Sequence, residues 1–372
     1  MKNLSRIVRL GVVVLAFNIG SARAQQRSNS EQTWPAPQEA NFVVHDFQFR
    51  SGEALRELRI HYRTLGKPAR DADGRTTNAV LILHGTGGDG TDFLDPIFAG
   101  VLFGSGQLLD ATKYFLILPD NLGHGGSSKP SDGLHAHFPH YNYADMVALQ
   151  HELVTKDLGI DHLRLILGTS MGCMHSWLWA EAYPDFMDAL MPLACQAVQV
   201  AGRNRIWRKM IIDGIQQDPD WKGGEYSAEP QAALRIAADL LAIAGSAPLH
   251  VQKDLPTRDA ADKYLDAYMK RNVAGLDAND LLYAISASRD YDPSPKLEGI
   301  KAHVLHINSA DDFVNPPELG IAEREIKRVK NGKFVLLPAS EQTHGHGTHT
   351  YASVWQHYLR ELLDDSSKHS RN

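Results

Sequence analysis

The sequence predicts an α/β fold, with a mostly parallel central sheet flanked by helices and an inserted helical lid. Three observations support this prediction. Short buried-strand runs such as Ala79–Leu83 alternate with helical patterns in the first half of the chain. Strand patterns disappear between residues 196 and 292, where apolar residues recur at helical spacing. Strand runs then resume at residues 303–307 and 333–337.

These patterns predict a domain organisation in which residues 41–195 and 293–365 form the α/β core, and residues 196–292 form the lid. Residues 41–50 and 55–65 alternate apolar with polar side chains, which predicts an antiparallel hairpin at the sheet edge. The predicted lid helices cover residues 206–215, 231–244, 260–273 and 281–288.

Composition and charge narrow the class of protein. The chain has 372 residues, of which 43% are hydrophobic, so it can bury a substantial core. Its 38 Lys and Arg residues against 44 Asp and Glu residues give a net charge of −6. Because no basic surface is indicated, nucleic acid is not an expected partner.

The first 24 residues have the pattern of a signal peptide. Three basic residues precede an apolar run at residues 10–19, and an A-x-A site ends at Ala24. The run is too short for a transmembrane helix, so an uncleaved anchor is the less favoured alternative. The sequence therefore predicts residues 1–24 as a signal peptide and residues 25–40 as a flexible leader. The mature protein is expected to be periplasmic or secreted, with no membrane span.

The segment that carries the predicted chemistry is a strand, a sharp turn and a helix. The apolar run at residues 163–167 is followed by G-x-S-x-G at residues 168–172 and by a helical pattern. This is the arrangement of a nucleophile elbow, in which small neighbours let a strained turn present the serine hydroxyl. Ser170 is the candidate nucleophile, and the backbone N–H of Met171 is a candidate oxyanion donor.

A glycine-rich segment, residues 84–90, follows the strand Ala79–Leu83. It lacks the lysine of a phosphate-binding P-loop and does not open a clear helix. The backbone N–H of Thr86 is therefore predicted to be the second oxyanion donor, with Gly87 as the less favoured donor. A plain flexible loop is the alternative interpretation.

The sequence does not predict a metal site. His135, His137 and His140 crowd one loop but lack helical metal-ligand spacing and nearby carboxylates. Cys173 and Cys195 are not in a CxxC or zinc spacing, so two small buried thiols are expected. A disulfide between them in an oxidising compartment is the less favoured alternative.

Residues 41–363 resemble the α/β-hydrolase superfamily and, within it, the homoserine O-acetyltransferase-like branch. The motifs behind the resemblance are Asp145-Met146-Val147, the Gly-Thr-Ser-Met-Gly elbow, Asp218-Pro219-Asp220-Trp221 within residues 203–226, Asp312 through Pro316, and Gly345-His346. The chain departs from that branch in its His-Gly-Thr-Gly-Gly segment, at Cys173 and over residues 119–131.

The resemblance implies a triad in the chain order serine, acid, histidine. It assigns His346 as the base and Asp312, four residues before Pro316, as the acid. Asp311 is a rival for the acid. His344 and His349 are rivals for the base, and the three histidines together also suggest a less favoured metal interpretation.

These residues predict an acyl-transfer enzyme that works through an acyl-Ser170 intermediate, without a metal or a tightly bound cofactor. The resemblance also implies that Arg208 binds a substrate carboxylate. Because an exported enzyme would lack acetyl-CoA and meet water in excess, hydrolysis of small acyl esters is the favoured reaction. The alternatives are a homoserine O-acetyltransferase-type enzyme using acyl-CoA, and an inactive binding protein on the same fold. The oligomeric state is left open, with a homodimer among the alternatives.

Overall fold

The computed structural model describes residues 33–369. The predicted signal peptide, residues 1–24, and the first half of the predicted leader, residues 25–32, lie outside the described residues. The structure is an α/β fold in which eight strands form one sheet. The strands are β1 (Gln38–Gln48), β2 (Ala54–Leu65), β3 (Ala79–Leu83), β4 (Phe115–Pro119), β5 (Leu163–Thr169), β6 (Met187–Leu193), β7 (His303–Ser309) and β8 (Gly332–Leu337).

The strand order across the sheet is β1-β2-β4-β3-β5-β6-β7-β8. β1 and β2 form the expected antiparallel hairpin, and β2 pairs antiparallel with β4. All other neighbouring strands are parallel. The central strands β3, β4 and β5 are buried along their whole length, as strands covered on both faces must be. The mostly parallel sheet is therefore confirmed.

Ten α-helices accompany the sheet in the described part of the chain. They are α1 (Ala99–Leu102), α2 (Tyr143–Glu152), α3 (Met171–Ala182), α4 (Gly202–Gln217), α5 (Gln231–Ala244), α6 (Pro248–Asp254), α7 (Arg258–Asn272), α8 (Ala278–Ser286), α9 (Ile321–Glu325) and α10 (Ala352–His369). Helix α2 continues as a π-helical turn over Leu153–Asp157.

Helices cover both faces of the sheet. On one face the indoles of Trp177 and Trp179 from α3 are fully buried among apolar side chains of the strands. On the other face Trp355 and Leu359 of α10 are buried in the same way. Large buried aromatic and aliphatic groups on both faces supply the hydrophobic stabilisation of the core.

Helices α4 to α8 lie between β6 and β7 in the chain and contain their own apolar cluster. Trp207 and Ile211 of α4, Leu234 of α5 and Ile285 of α8 meet in this cluster, together with Val314 from the loop after β7. Helix α6, a short helix with a proline in its first turn, was not predicted from the sequence. No single helix in residues 33–369 is long and apolar enough to cross a membrane. Helices α5 and α6, which meet at an angle of 103°, reach the length and apolar composition of a membrane span only when they are taken together.

Cys173 and Cys195 form a disulfide, with 5.8 Å between their Cα atoms. The expectation of two buried thiols is therefore wrong. The two residues are 22 positions apart in the chain, but the parallel pairing of β5 with β6 brings the segments that follow these strands together. The pairing depends on sheet register, which the spacing of the cysteines in the sequence does not reveal.

Candidate active site

The turn between β5 and α3 gives Ser170 an exceptional backbone conformation. Its φ of 52° and ψ of −107° are unfavourable for a residue with a side chain. The Ser170 N–H donates to the Leu193 carbonyl at 2.9 Å, and the Gly172 N–H donates to the His84 carbonyl at 2.9 Å. These hydrogen bonds to two different strand ends fix the turn on both sides.

The elbow needs glycine on both sides of the serine. A Cβ on Gly168 would lie 2.0 Å from the Gly172 carbonyl oxygen. A Cβ on Gly172 would lie 2.0 Å from the Leu83 carbonyl oxygen. Real Cβ atoms do not approach oxygen this closely, so the close packing of α3 on β3 and β5 requires both glycines.

The glycine-rich segment after β3 lies against the serine. A Cβ built on Gly85 would be 3.3 Å from the Ser170 Cβ and 3.8 Å from its Oγ. Thr86, the next residue, is thus close to Ser170, as the sequence analysis expects of an oxyanion donor. Met171 is the first residue of α3, so its N–H has no acceptor within the helix. Both candidate donors are therefore neighbours in the chain of residues at the elbow, Thr86 of Gly85 and Met171 of Ser170.

The structure also brings together Ser170, His346 and Asp312. The Ser170 Oγ is 2.8 Å from His346 Nε2. His346 Nδ1 is 3.1 Å from each of the Asp312 carboxylate oxygens. The carboxylate therefore fixes the ring so that Nε2 faces the serine.

Asp312 stays ionised despite complete burial. Burial alone would raise the pKa of the Asp312 carboxyl, but the charge of His346 and hydrogen bonds from His346 and Asn315 hold that pKa below its usual range. The Val314 N–H also donates to the carboxylate at 2.8 Å. An ionised carboxylate at this position stabilises an imidazolium whenever His346 takes a proton.

The rival residues have other partners. Asp311 accepts hydrogen bonds from the Thr343 hydroxyl at 2.9 Å and the Gly345 N–H at 3.1 Å, so it holds the loop that carries His346. The His344 ring stacks on Tyr351, with 3.7 Å between ring centroids. His349 is buried edge-on to His346, and burial followed by the charge of His346 lowers the pKa of His349 to about 3.

Residues 78–341 match the alpha/beta hydrolase fold family. The chain belongs to the α/β-hydrolase family. A probable acyltransferase of Methanothermobacter thermautotrophicus is 33% identical over 279 residues, which cover 75% of this chain and 84% of that protein. The homoserine O-acetyltransferase of Haemophilus influenzae is 30% identical over 306 residues, covering 74% and 83%. The solved structure of the acetyl esterase MekB superposes with a TM-score of 0.76 at 25% identity, covering 88% and 97%.

These similarities confirm the predicted homoserine O-acetyltransferase-like branch. They also identify the chain as an α/β-hydrolase-fold enzyme of the acyltransferase and esterase type. The relatives include both transferases and an esterase, so family membership by itself does not select the acyl acceptor.

Arg208 of this α/β-hydrolase is only 2% exposed. Its guanidinium donates to the Asn204 side-chain oxygen at 2.9 Å and to the Ser288 hydroxyl at 3.2 Å. Among residues 33–369, no carboxylate lies within ion-pair distance of Arg208. A buried guanidinium held only by neutral groups is a favourable partner for an anion.

Helix α4 joins Arg208 to the loop that carries Asp312. The Asn204 side-chain amide donates to the Val314 carbonyl at 3.4 Å, and Arg203 donates to the Phe313 carbonyl at 2.6 Å. The Arg203 guanidinium also lies over the Phe313 ring. Arg203 is thus packed on the loop that carries Asp312.

Two supporting residues have roles that were not predicted from the sequence. Asn315 donates its side-chain amide to Asp312 Oδ2 at 3.1 Å and to the Ala194 carbonyl at 2.9 Å. His84 is fully buried and lies 2.8 Å, through Nδ1, from the Gly85 carbonyl, while its Nε2 accepts from Asn121. Burial lowers the pKa of His84, so the ring is neutral, as these two opposite roles require.

The loop after β4 is fixed by an ionic cluster. Asp120 lies 2.7 Å from Arg63 Nη1 and 2.8 Å from His61 Nδ1. Its carboxylate also accepts the N–H groups of Gly90 and Gly126. Asp120 therefore ties this loop to the glycine-rich segment.

Among residues 33–369, one group of metal-ligand side chains is close enough to share an ion: Cys173, Cys195 and His306. The structure joins the two cysteines of this group in the disulfide. His135, His137 and His140 do not form such a group, and His140 instead lies 3.2 Å from a Glu53 carboxylate oxygen.

Proposed function

We propose that this α/β-hydrolase is a serine enzyme that hydrolyses small acyl esters through an acyl-Ser170 intermediate. The observation that carries the proposal is the continuous set of contacts from Ser170 Oγ to His346 Nε2 at 2.8 Å, and from His346 Nδ1 to Asp312 at 3.1 Å. A nucleophile, a base and an orienting carboxylate in this relation are the parts of a catalytic triad.

The reaction would proceed in two halves. His346 takes the Ser170 proton as Oγ attacks the ester carbonyl, and then gives it to the departing alcohol. In the second half His346 takes a proton from water as that water attacks the acyl-serine, and it then gives this proton to Ser170 Oγ as the acid is released. Asp312 remains ionised throughout and stabilises the imidazolium that forms in each half.

The N–H groups of Thr86 and Met171 are the proposed oxyanion donors. The close approach of Gly85 to Ser170 and the position of Met171 at the start of α3 support this assignment. The positive end of the α3 dipole also favours negative charge at this point. Stabilisation of the oxyanion is commonly the largest electrostatic contribution in acyl transfer.

Water is the proposed acceptor because the protein is proposed to be exported. The signal-peptide pattern at residues 1–24 supports export, and the disulfide Cys173–Cys195 is typical of an oxidising compartment. Acetyl-CoA is a cytoplasmic metabolite, whereas water is in excess everywhere. N-terminal sequencing of protein from its native host is expected to find a mature chain that begins at or near Gln25.

The proposed ester carries a carboxylate that binds Arg208. The burial of this guanidinium and its neutral partners support the assignment. The homoserine O-acetyltransferase of Haemophilus influenzae belongs to the same branch, which also supports a carboxylate-bearing substrate. Homoserine acetylation by acyl-CoA is therefore the second candidate function.

One assay separates the two acceptors. The purified mature protein is incubated with small acetyl esters, and separately with acetyl-CoA and homoserine, while acetate, free CoA and O-acetylhomoserine are measured. We expect acetate from the esters at a rate that homoserine does not change, with negligible release of CoA. Faster formation of O-acetylhomoserine from acetyl-CoA than of acetate from any ester would reverse the assignment.

A further inference from the structure

The disulfide Cys173–Cys195 lies between two parts of the proposed triad. Cys173 is in the first turn of α3, three residues after Ser170. Cys195 follows β6 by two residues, directly after Ala194. Both cysteines are buried, with exposed fractions of 0% and 2%. The bond therefore joins the helix that carries the nucleophile to the end of the neighbouring strand.

The segment at Ala194 is held in an unfavourable conformation. Ala194 has a φ of 63°, which a residue with a Cβ rarely adopts. Its N–H donates to the Ile307 carbonyl at 3.0 Å, and the Cys195 carbonyl lies 3.0 Å from His306 Nε2. Such a conformation persists only where several contacts determine it, and the disulfide is the covalent one among them.

The conformation of Ala194 matters because its carbonyl points to the acid loop. That carbonyl accepts the Asn315 side-chain amide at 2.9 Å, and the same amide nitrogen lies 3.1 Å from Asp312 Oδ2. The Asn315 N–H also donates to Asp312 Oδ1 at 3.1 Å. The Asn315 side chain thus connects Ala194 directly to Asp312.

We propose that the disulfide Cys173–Cys195 is a positioning element of the active site, and that it sets the geometry of Asp312 and His346 through Ala194 and Asn315. The contacts form a closed ring, which runs from Ser170 along α3 to the disulfide, on to Asp312 and His346, and back to the serine. The proposal rests on the proposed function of these residues. Because small displacements of catalytic groups cost large factors in rate, the ring acts on kcat more than on KM.

The proposal makes full activity depend on oxidation. The bond forms by thiol–disulfide exchange: two cysteine thiols become one disulfide, while the disulfide of an oxidised donor, such as oxidised glutathione, becomes two thiols. The electrons and protons released by the cysteines pass to the donor. A protein kept in a reducing compartment would therefore fold with the same triad residues but hold them less firmly.

The test compares Cys173→Ala, Cys195→Ala and the double variant with oxidised wild type. Any one substitution breaks the bond, so all three are expected to lower kcat by the same factor, about three- to tenfold, with KM changed less than twofold. Circular dichroism at the assay temperature shows that each variant is folded. Reduced wild type is expected to match the variants, and to recover when it is re-oxidised with oxidised glutathione.

A double-mutant cycle with Asn315→Ala tests the route. If the disulfide acts through Asn315, removing both cysteines in the Asn315→Ala background costs little further kcat. Effects that multiply would overturn the route through Asn315. A folded cysteine-free variant with wild-type kcat and a lower melting temperature would overturn the positioning role altogether. The wild-type ester rate tests the proposed function separately, because the disulfide proposal concerns only the ratios between variants.

Discussion

Two adjacent aspartates in the acid loop have different partners. Asp312 contacts the His346 ring. Asp311 instead accepts hydrogen bonds from Thr343 and Gly345, which lie in the loop that carries His346. We expect Asp312→Asn to lower kcat by about a hundredfold or more, because the amide no longer stabilises the imidazolium and favours the wrong tautomer. Asp311→Asn is expected to cost much less. Steady-state kinetics on one ester tests the ranking, and the reverse order would assign the acid to Asp311.

Arg208 and its neighbour Lys209 provide a test variant and a matched control. Arg208 is buried, whereas Lys209 is more than half exposed and pairs with Asp213. We expect Arg208→Ala to raise KM for carboxylate-bearing esters. The corresponding loss of binding free energy is about 1.5–3 kcal/mol, which is the value of a charged hydrogen bond. Lys209→Ala is the control and is expected to change nothing. Equal impairment of Arg208→Ala on neutral and anionic esters would mean that Arg208 only supports the lid.

At this scale the elbow motif predicted Ser170 and the family resemblance predicted Asp312 and His346, and the structure brings these three side chains together. Ser170 stands in a five-residue motif, and Asp312 and His346 follow late strands in the expected order. Asn315 and His84 were missed because their roles depend on contacts with Ala194 and Asn121, which are distant in sequence. A polar residue three positions after the candidate acid is the one signal that could have indicated Asn315.

The nucleophile elbow positions Ser170, and substitution of its glycines tests how closely α3 packs on β3. We expect Gly172→Ala to destabilise the protein by about 1–3 kcal/mol or more, since the new Cβ would overlap the Leu83 carbonyl. Gly214→Ala is the control, because Gly214 lies inside α4 with open space around it. That change is expected to stabilise by about 0.5–1 kcal/mol. Urea unfolding measures both, and a tolerated Gly172→Ala would contradict the packing of α3 on β3.

The strands and most lid helices could be predicted because their periodicity is a local property of the chain. Strand β3 has the bounds that its apolar run predicts, and α5 has the bounds that its helical spacing predicts. Helix α6 was missed because it is short and has no residue classed as buried. The disulfide was judged wrongly because it depends on the register of β5 with β6.

At the scale of the whole molecule, buried histidines make stability depend on pH. Burial lowers the pKa of His306 to about 4, and burial with the charge of a neighbouring histidine lowers the pKa values of His124 and His349 to about 3. In the unfolded chain these groups take protons near pH 6.5. Below that pH the unfolded state binds more protons than the folded state, so stability falls as pH drops from about 6.5 to 4.

Two carboxyl groups act in the opposite direction. Burial raises the pKa of Glu181 to about 7, and burial with the charge of Asp277 raises that of Glu229 to about 7. These groups bind protons in the folded state first, so they stabilise it as pH falls from about 7 to 4.5. The change in unfolding free energy at acid pH is therefore the difference between the histidine and the carboxyl contributions. Substitution of a single histidine isolates its contribution.

His306→Gln isolates one of these histidines and keeps a side-chain donor for the Cys195 carbonyl. We expect the unfolding free energy of wild type to fall relative to the variant as pH drops from 6.5 to 4, by up to about 1.4 kcal/mol per pH unit. Urea unfolding at several pH values gives both curves. Parallel curves for the two proteins over this range would show that His306 is not neutral in the folded state.

We propose that Ser170 is the residue that becomes acylated. The direct measurement is peptide mapping by mass spectrometry after the mature protein reacts with a serine-directed fluorophosphonate. We expect one adduct, on Ser170, with complete loss of esterase activity, and no adduct in the Ser170→Ala variant. An adduct on another residue, or esterase activity that survives complete modification of Ser170, would contradict it.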